Sequence, residues 1–217
     1  MHCTLNKSDL SYYLDKQLSN FFPYANEKNY KILINHIDLA LQRIEFCFSK
    51  INNKYFFDGT NSIFNHLNGD QYAIFLYYLS NTLYRFNQDT NLCSKIYLLN
   101  KSLHGLDAFY EVELPDIFMV VHPISTVLGR GKYDDYFLVY QRCGVGSNHN
   151  IYPTIGKYVT LHPGASVLGN SIINTKTAIA SESLVLDKSI GSNSIYIGNP
   201  KSHIIKENIN PISQFWK

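Results

Sequence analysis

The chain has 217 residues, of which 45% are hydrophobic and 17% are charged, and its formal net charge is +2. This apolar content is enough for one large core or two small ones, which excludes a mainly disordered chain. Because the 19 basic residues are spread along the chain and balanced by 17 acidic ones, a dedicated surface for nucleic acid or anionic membrane is not expected.

The beginning of the chain carries no pattern typical of a targeting or membrane-spanning sequence. Asp9 interrupts it early, and the longest apolar run, 73–79, is far shorter than a bilayer span. The four cysteines lie more than forty residues apart and form no Cys-x-x-Cys pair. We therefore expect a cytoplasmic protein with reduced, mostly buried thiols, and no zinc or other metal site.

The first hundred residues predict a helical bundle. Apolar residues recur there at steps of three and four, which places them on one face of a helix; the clearest run is Leu33, Ile37, Leu41, Ile44, Phe48 and Ile51. Further helices are expected after a Ser8 cap, after Asp70, and through Ile96 and Leu99. The aromatic stripe of the third helix is typical of a core or a subunit interface rather than a ligand pocket; it comprises Tyr77, Tyr78, Tyr84 and Phe86.

Past residue 105 the sequence repeats with a period of six. The first position of each repeat is aliphatic: Ile155, Leu161, Val167, Ile173, Ile179 and Val185. The position four residues later is nearly always small: Val159, Ala165, Ser171, Thr177, Ser183 and Ser189. Upstream, the same step gives Val121, Val127, Tyr133, Val139 and Val145. Neither a helix nor a hairpin has this period.

A period of six predicts a solenoid with three faces to each coil. One aliphatic residue of each face points to the axis, and a small residue lies where the chain turns the corner. The register breaks across GSNHNIYPT, residues 146–154. We expect this segment to be a loop that projects from the solenoid, and such loops often carry function.

A hexapeptide repeat of this kind resembles the left-handed parallel β-helix of an acyltransferase superfamily, and the helical first half narrows the resemblance to the serine acetyltransferases. The segment YPTIGKYVTLHPGASVLGN resembles that family's His-Pro, Ile-Gly and GAGAxxLGN coil, VYQRCGVG resembles its LQxVTxGG coil, and IYIGNPKSHII resembles its closing GxPAxxI segment. The resemblance implies an α+β chain with a helical bundle for assembly at 1–105, a left-handed β-helix acyltransferase domain at 106–204 and a tail at 205–217.

The resemblance also implies a catalytic dyad. Alignment on Gln141 matches His122 to the family's base and Asp107, fifteen residues earlier, to its acidic partner; another alignment would put the base at Asp135 or Tyr136, which do not suit the chemistry. A histidine removes the proton of the attacking hydroxyl, and a carboxylate fixes its tautomer. The structural alternative is that His122 only starts a coil and Asp107 is a surface acid.

The acceptor site departs from the family. The family has an Asp before the base and an Arg-His pair before the loop proline, whereas this chain has Val121, Ile151 and Tyr152 there. Either other polar residues replace these charges or the acceptor is a neutral hydroxyl compound such as a sugar or nucleotide sugar. The candidate acceptor-binding residues are Asn148, His149, Tyr152 and Asp89; the loop residues among them are also ordinary turn formers.

For the co-substrate, the resemblance implies acetyl-CoA in a groove between neighbouring subunits. Gly146, Gly164 and Ser181 match positions that approach it, and Lys201 lies where a phosphate could pair; the alternatives are a corner role for Gly164 and a solvated charge for Lys201. A homotrimer or a dimer of trimers is implied. The family's cysteine-synthase partner is not expected, because that complex uses a terminal Ile and this chain ends in Gln-Phe-Trp-Lys.

These features together predict an acetyl-CoA-dependent O-acetyltransferase. One alternative is a non-catalytic β-helix scaffold that has lost acyl transfer. Another, metal-dependent hydration of the carbonic-anhydrase type, needs three converging histidines, and His122, His149 and His162 are too dispersed for it.

Overall fold

The computed structural model of the protein describes residues 1–23, 28–86, 89–209 and 213–217. Within them, four α-helices precede a parallel β-solenoid, which confirms the predicted α+β class. The helices are α1 (Lys7–Phe21), α2 (Lys28–Ser49), α3 (Gly69–Arg85) and α4 (Thr90–His104). A short parallel pair, β1 (His2–Cys3) and β2 (Ile63–Phe64), ties the N-terminal segment to the connection between α2 and α3.

Asparagine side chains cap the first and third helices. Asn6 accepts a hydrogen bond from the backbone N–H of Asp9, and Asn68 accepts from those of Asp70 and Gln71. The expected caps, Ser8 and Asp70, were each wrong by two residues, because both lie inside the first helical turn. The carboxylate of Asp70 is therefore available for a contact outside its own helix.

Helix α3 lies at the centre of the helical half. All its residues from Gln71 to Leu83 are buried, because α2 and α4 pack on its sides and the solenoid strand Phe118–Val120 also contacts it. The phenols of Tyr77 and Tyr78 donate hydrogen bonds to backbone carbonyls of the segment 112–116, which leads into the solenoid. Half of the aromatic stripe is therefore core, as predicted, whereas Phe86 at the helix end is exposed.

The solenoid has three faces and about five left-handed turns. The first face contains β4 (Phe118–Val120), β7 (Phe137–Val139), β10 (Thr160–Leu161), β13 (Ala178–Ile179), β16 (Ser194–Asn199) and β17 (Ser202–Glu207). The second contains β3 (Leu106–Asp107), β5 (Thr126–Leu128), β8 (Gly144–Gly146), β11 (Ser166–Leu168) and β14 (Leu184–Leu186). The third contains β6 (Lys132–Tyr133), β9 (Thr154–Ile155), β12 (Ile172–Ile173) and β15 (Ser189–Ile190).

The predicted axis of the solenoid is confirmed from Val139 onward. Every aliphatic position predicted to point inward there is fully buried, or nearly so: Val139, Val145, Ile155, Leu161, Val167, Ile173, Ile179 and Val185. The small residues four positions later are also buried, except for Ser189 in the last coil. Side chains of one coil therefore stack directly on those of the next, which makes the column a continuous hydrophobic core.

The register predicted for the first coil was wrong. Val120 rather than Val121 faces the axis, and Val127 is exposed while Leu128 is buried. The chain takes eight residues from Val120 to Leu128, whereas each of the next three coils takes six over the same corner. The corner between the first and second faces therefore contains two additional residues in the first coil.

The C-terminal residues return to the helical half. After the antiparallel hairpin of β16 and β17, Trp216 pairs with Ile51 in an isolated bridge and packs edge-on against Tyr136, with ring centroids 5.5 Å apart. The carbonyl of Phe215 accepts a hydrogen bond from the N–H of Asn52. This segment therefore crosses the outer surface of the first face.

All four cysteines are free thiols, as expected. Cys47, Cys93 and Cys143 are buried, and Cys3 is exposed. Burial raises the pKa of Cys47 and that of Cys93 to about 11, so both thiols are protonated at neutral pH and are poor nucleophiles.

Candidate functional site

The candidate base lies on the widened corner of the first coil, residues 121–126, which we call the base corner. Two of its residues, His122 and Ser125, have left-handed backbone conformations with φ of 50° and 58°. His122 is exposed. The two additional residues of this corner carry the imidazole away from the solenoid axis.

Asp70 holds the base corner from the helical half. Its Oδ1 accepts a hydrogen bond from the backbone N–H of His122 at 3.0 Å. Burial raises the pKa of Asp70, and the N–H of His122 offsets only part of this effect. No sequence pattern indicated this contact, because the two residues are 52 positions apart and Asp70 reads as a helix cap.

A cleft of about 470 Å³ opens beside His122 and Asp70. We call it the His122 cleft. Its walls come from the connection between α2 and α3, the start of α3, the first face and the tail: Asn53, Tyr55, Phe56, Asn68, Gly69, Asp70, Met119, Val121, His122, Tyr140 and Phe215. Of these described lining residues, Asp70 is the only acid, and none is a lysine or arginine.

Asp107, the predicted partner of His122, lies on β3 beside the base corner. Its carboxylate accepts hydrogen bonds from the hydroxyl of Tyr97 and the ammonium of Lys101, both at 2.6 Å. Burial raises the pKa of Asp107, but the bonds from Lys101 and Tyr97 outweigh it and leave this pKa below its usual value. Among the described contacts of Asp107, none is to His122, so the dyad stays a prediction.

The base corner belongs to the edge of the solenoid where the first face meets the second. This edge also carries two of the residues predicted to approach acetyl-CoA. Gly164 and Ser181 lie at the corners of the third and fourth coils, in line with the base corner. Gly164 has a φ of +76°, and an added Cβ would lie 2.6 Å from the carboxylate of Glu182. Arg142 forms an ion pair with Glu182 across this glycine. Gly164 is therefore a corner residue, and it also allows the ion pair to lie close to the backbone.

A second cleft, of about 430 Å³, lies on the first face beside Ser181. We call it the Ser181 cleft. Its floor is low because Ala178, Ala180 and Ser181 have small side chains, and its far wall is the C-terminal segment with Phe215, which also lines the His122 cleft. The hydroxyl of Thr160 on this floor is buried and has no partner among the described residues.

Stacked rings connect the two clefts. The imidazole of His162, in the Ser181 cleft, stacks on the ring of Tyr140, in the His122 cleft, with centroids 5.7 Å apart and planes 7° from parallel. Burial lowers the pKa of His162, so its ring is neutral at neutral pH. A ligand that extends from one cleft into the other would pass over this pair.

The other two predicted acetyl-CoA positions lie on separate elements. Gly146 ends β8 on the second face, where an added Cβ would meet Leu168 at 3.6 Å. Lys201 lies in the turn between β16 and β17, is exposed, and its N–H donates to the side chain of Asn199. Their predicted roles stay predictions.

The segment 146–154, predicted to be a projecting loop, contains a small hairpin. Asn148 and Ile151 exchange backbone hydrogen bonds around His149 and Asn150, which both have left-handed conformations. The amide of Asn148 donates to Asp187 at 2.7 Å. His149 and Tyr152 are exposed, so of the predicted acceptor-binding loop residues one is held by the solenoid and two point to solvent.

Asp89 is the N-cap of α4, and its carboxylate accepts the N–H of Asn91 at 2.8 Å. Helix α4 has 15 residues, so Asp89 lies roughly 22 Å of helix away from the end that leads to Asp107. The structure therefore brings His122 together with Asp70 and leaves Asp107 on the neighbouring strand with no contact to His122 among the described residues. It places Asp89 at the opposite end of α4.

Residues 1–23, 28–86, 89–209 and 213–217 contain neither a metal-ligand cluster nor a membrane-spanning helix. No group of three or more His, Cys, Asp or Glu side chains converges there. None of the described helices combines the length and the apolar character needed to cross a bilayer.

The architecture defines a left-handed parallel β-helix with a helical N-terminal half. Solved structures similar to it include serine acetyltransferases. That of Neisseria gonorrhoeae has 18% sequence identity and a TM-score of 0.73 over 96% of this chain and 82% of that chain. That of Vibrio cholerae has 16% identity and a TM-score of 0.73, with the same two coverages. A serine acetyltransferase in complex with CoA has 18% identity and a TM-score of 0.70, covering 93% of this chain and 85% of that chain.

No family profile and no curated protein matches the sequence. At 16–18% identity, the structural likeness shows a shared fold. It confirms the resemblance that the hexapeptide repeat and the helical half predicted.

Proposed function

We propose that the protein is an acetyl-CoA-dependent O-acetyltransferase. The observation that carries this proposal is the position of His122: exposed on a widened corner, above a cleft, on the fold of the serine acetyltransferases. If His122 only started a coil, its corner would need neither two additional residues nor a hydrogen bond to the carboxylate of Asp70 on another element.

In the proposed reaction, His122 accepts the proton of the acceptor's hydroxyl while that oxygen attacks the thioester carbonyl. A C–O bond forms and the C–S bond breaks. The imidazolium then returns the proton to the leaving thiolate, so atoms and charges balance. Asp107 would stabilise this imidazolium after exchanging one of its present hydrogen bonds for the ring of His122.

Two observations support a binding site for the acyl donor along the edge. The Ser181 cleft is floored by small residues and contains an unpartnered hydroxyl at Thr160, which suits an extended chain with amide groups. A solved serine acetyltransferase of this fold is in complex with CoA. The thioester would lie near Tyr140 and Phe215, where the two clefts meet.

The acceptor is proposed to be serine or a sugar hydroxyl, including that of a nucleotide sugar. A solved serine acetyltransferase of this fold is in complex with cysteine, an amino acid. Against serine stand the apolar or neutral residues at the family's charged positions, Val121, Ile151 and Tyr152. The resemblance further supports a cytoplasmic homotrimer or dimer of trimers as the working assembly.

The test is thiol release from acetyl-CoA by the purified protein with L-serine or with nucleotide sugars. We expect His122→Ala to lower turnover about a hundredfold to ten-thousandfold while the circular dichroism spectrum is unchanged. His2→Ala, which removes an exposed histidine in the helical half, is the matched control. Wild-type turnover by His122→Ala would refute the assignment of the base.

The alternative of a non-catalytic scaffold has its own readout. Acetyl-CoA at a hundred times its Kd would stabilise a binding protein by about 2.7 kcal/mol. If the protein released no thiol from acetyl-CoA and acetyl-CoA did not raise its Tm, the scaffold alternative would be favoured.

A further inference from the structure

We infer that the His122 cleft takes a hydroxyl compound that carries an ammonium group and no free carboxylate, an amino alcohol or amino sugar, and that Asp70 binds the ammonium. This inference rests on the proposed function, because it identifies the acceptor class of the same site.

The position of Asp70 is the first observation. Its Oδ1 is occupied by the N–H of His122 at 3.0 Å, whereas its Oδ2 has no hydrogen-bond partner among the described residues and belongs to a side chain that lines the cleft. An ammonium on Oδ2 would therefore lie next to the residue that activates the hydroxyl. Adjacent amino and hydroxyl groups of one small molecule match this arrangement.

The charge inventory of the cleft is the second observation. Asp70 is its only carboxylate, and no lysine or arginine is among the described residues that line it. Val121, where the family resemblance places an acid, is apolar and lines the same cleft, so Asp70 supplies from α3 the charge that the base corner lacks. A free carboxylate on the acceptor would find no cation and would face Asp70 itself, which is unfavourable in a partly desolvated site.

The remaining polar groups suit further hydroxyls. Asn68 and Asn53 use their side-chain oxygens to accept backbone N–H groups, and their NH₂ groups have no partner among the described residues. These amides can donate to neutral oxygen acceptors. The rings of Tyr55 and Phe215 add apolar walls, which sugars and amino sugars can pack against.

The pairing also determines which atom is acetylated. Asp70 favours the protonated amine, and an ammonium has no lone pair with which to attack the thioester. The neighbouring hydroxyl, deprotonated by His122, is then the nucleophile. The product is an ester, with the thiol of CoA released and no additional reactant required.

The experiment compares four three-carbon acceptors with one primary hydroxyl in common and different charged groups. Glycerol has no charged group, glycerate has the carboxylate, serinol has the ammonium and L-serine has both. We expect kcat/KM for serinol to exceed that for glycerol by about tenfold to a hundredfold, the range of a hydrogen bond between charged groups, and glycerate to be poorest. For the same reason, kcat/KM for glucosamine should exceed that for glucose. Hydroxylamine trapping of the ester distinguishes O-acetylation from N-acetylation.

Asp70→Asn is the matched variant, because its amide oxygen can still accept the N–H of His122 while the charge is lost. We expect it to abolish the preference for serinol over glycerol. Asp38→Asn removes an exposed carboxylate whose ion-pair partner among the described residues is Lys7, and should keep the preference. Equal kcat/KM for serinol and glycerol in the wild type, or L-serine as the best of the four, would overturn the inference while leaving acetyl transfer intact.

A binding measurement separates this inference from the proposed function. Thermal stabilisation by serinol that disappears in Asp70→Asn would support the ammonium site even if no acceptor released thiol, a result that would refute only the transferase. If serinol neither stabilises the wild type nor accepts acetyl, the ammonium site is refuted.

Discussion

Gly164 tests whether a corner residue of the solenoid serves only the fold or also contacts acetyl-CoA. Its φ of +76° costs an alanine about 1–2 kcal/mol. The added Cβ would lie 2.6 Å from the carboxylate of Glu182, but that carboxylate ends a flexible side chain that is 65% exposed. Its displacement sacrifices an exposed ion pair with Arg142, worth at most about 1 kcal/mol.

Gly164→Ala should therefore lower the free energy of unfolding by about 1–3 kcal/mol. For a chain of this size, each kcal/mol corresponds to roughly 2–4 °C in Tm. Calorimetry of Gly164→Ala should therefore show a Tm lowered by about 2–12 °C. Glu182→Ala measures the ion-pair part alone. Relative to Glu182→Ala, the double variant should lose only the backbone part, about 1–2 kcal/mol, because the clash no longer exists. A double variant as stable as Glu182→Ala would refute the argument from φ.

Kinetics of the same variant separate the corner role from the proposed contact with acetyl-CoA. A purely structural Gly164 predicts an unchanged KM for acetyl-CoA well below the Tm. A glycine that the co-substrate approaches closely predicts a higher KM in Gly164→Ala that Glu182→Ala does not share. Unchanged KM in both variants would place acetyl-CoA elsewhere.

Two further predictions concern titratable groups around the base corner. Asp107→Asn should lower kcat at least tenfold if Asp107 orients His122. Lys101→Met breaks the same half-exposed ion pair, but it should change stability by less than about 1 kcal/mol and leave kcat unchanged. Equal kcat in both variants would assign Asp107 a structural role only. Burial lowers the pKa of His104 from 6.5 to about 4, so the unfolded chain binds this proton first as pH falls. Urea unfolding should therefore show up to about 3 kcal/mol less stability at pH 4 than above pH 6.5, a difference that is reduced in His104→Gln.

The solenoid could be predicted from the sequence where one column of the six-residue period is aliphatic at every repeat. From Ile155 to Val185 the two adjacent columns each contain polar or small residues, such as Thr160 and His162, so only one register is aliphatic at all six positions. In the first coil, Val120 and Val121 are adjacent, and so are Val127 and Leu128. Hydrophobicity alone cannot choose between two adjacent aliphatic residues, and the widened corner shifts the register by one residue at each pair.

The candidate site could be predicted only in part, for a different reason. His122 was found through its match to the family's base, whereas its exposed position depends on the widened corner, which the repeat did not predict. Asp70 lies in the helical half, and no periodic pattern relates a residue in α3 to a corner of the solenoid. The signal that was available, an aspartate two residues after Asn68 at a helix start, is indistinguishable in sequence from an ordinary cap.

The contact between Asp70 and His122 also changes what the helical half contributes. Asn53, Tyr55, Asn68 and Asp70 all come from the helical half and form one side of the His122 cleft, so residues 1–105, for which only an assembly role was predicted, also line the candidate site. In the proposed site, the solenoid would supply the base, whereas the helical half would supply the charge and the hydrogen-bond donors that recognise an acceptor. Substitutions at the start of α3 should therefore alter acceptor preference without moving the solenoid's core, and this separation allows one fold to serve different hydroxyl acceptors.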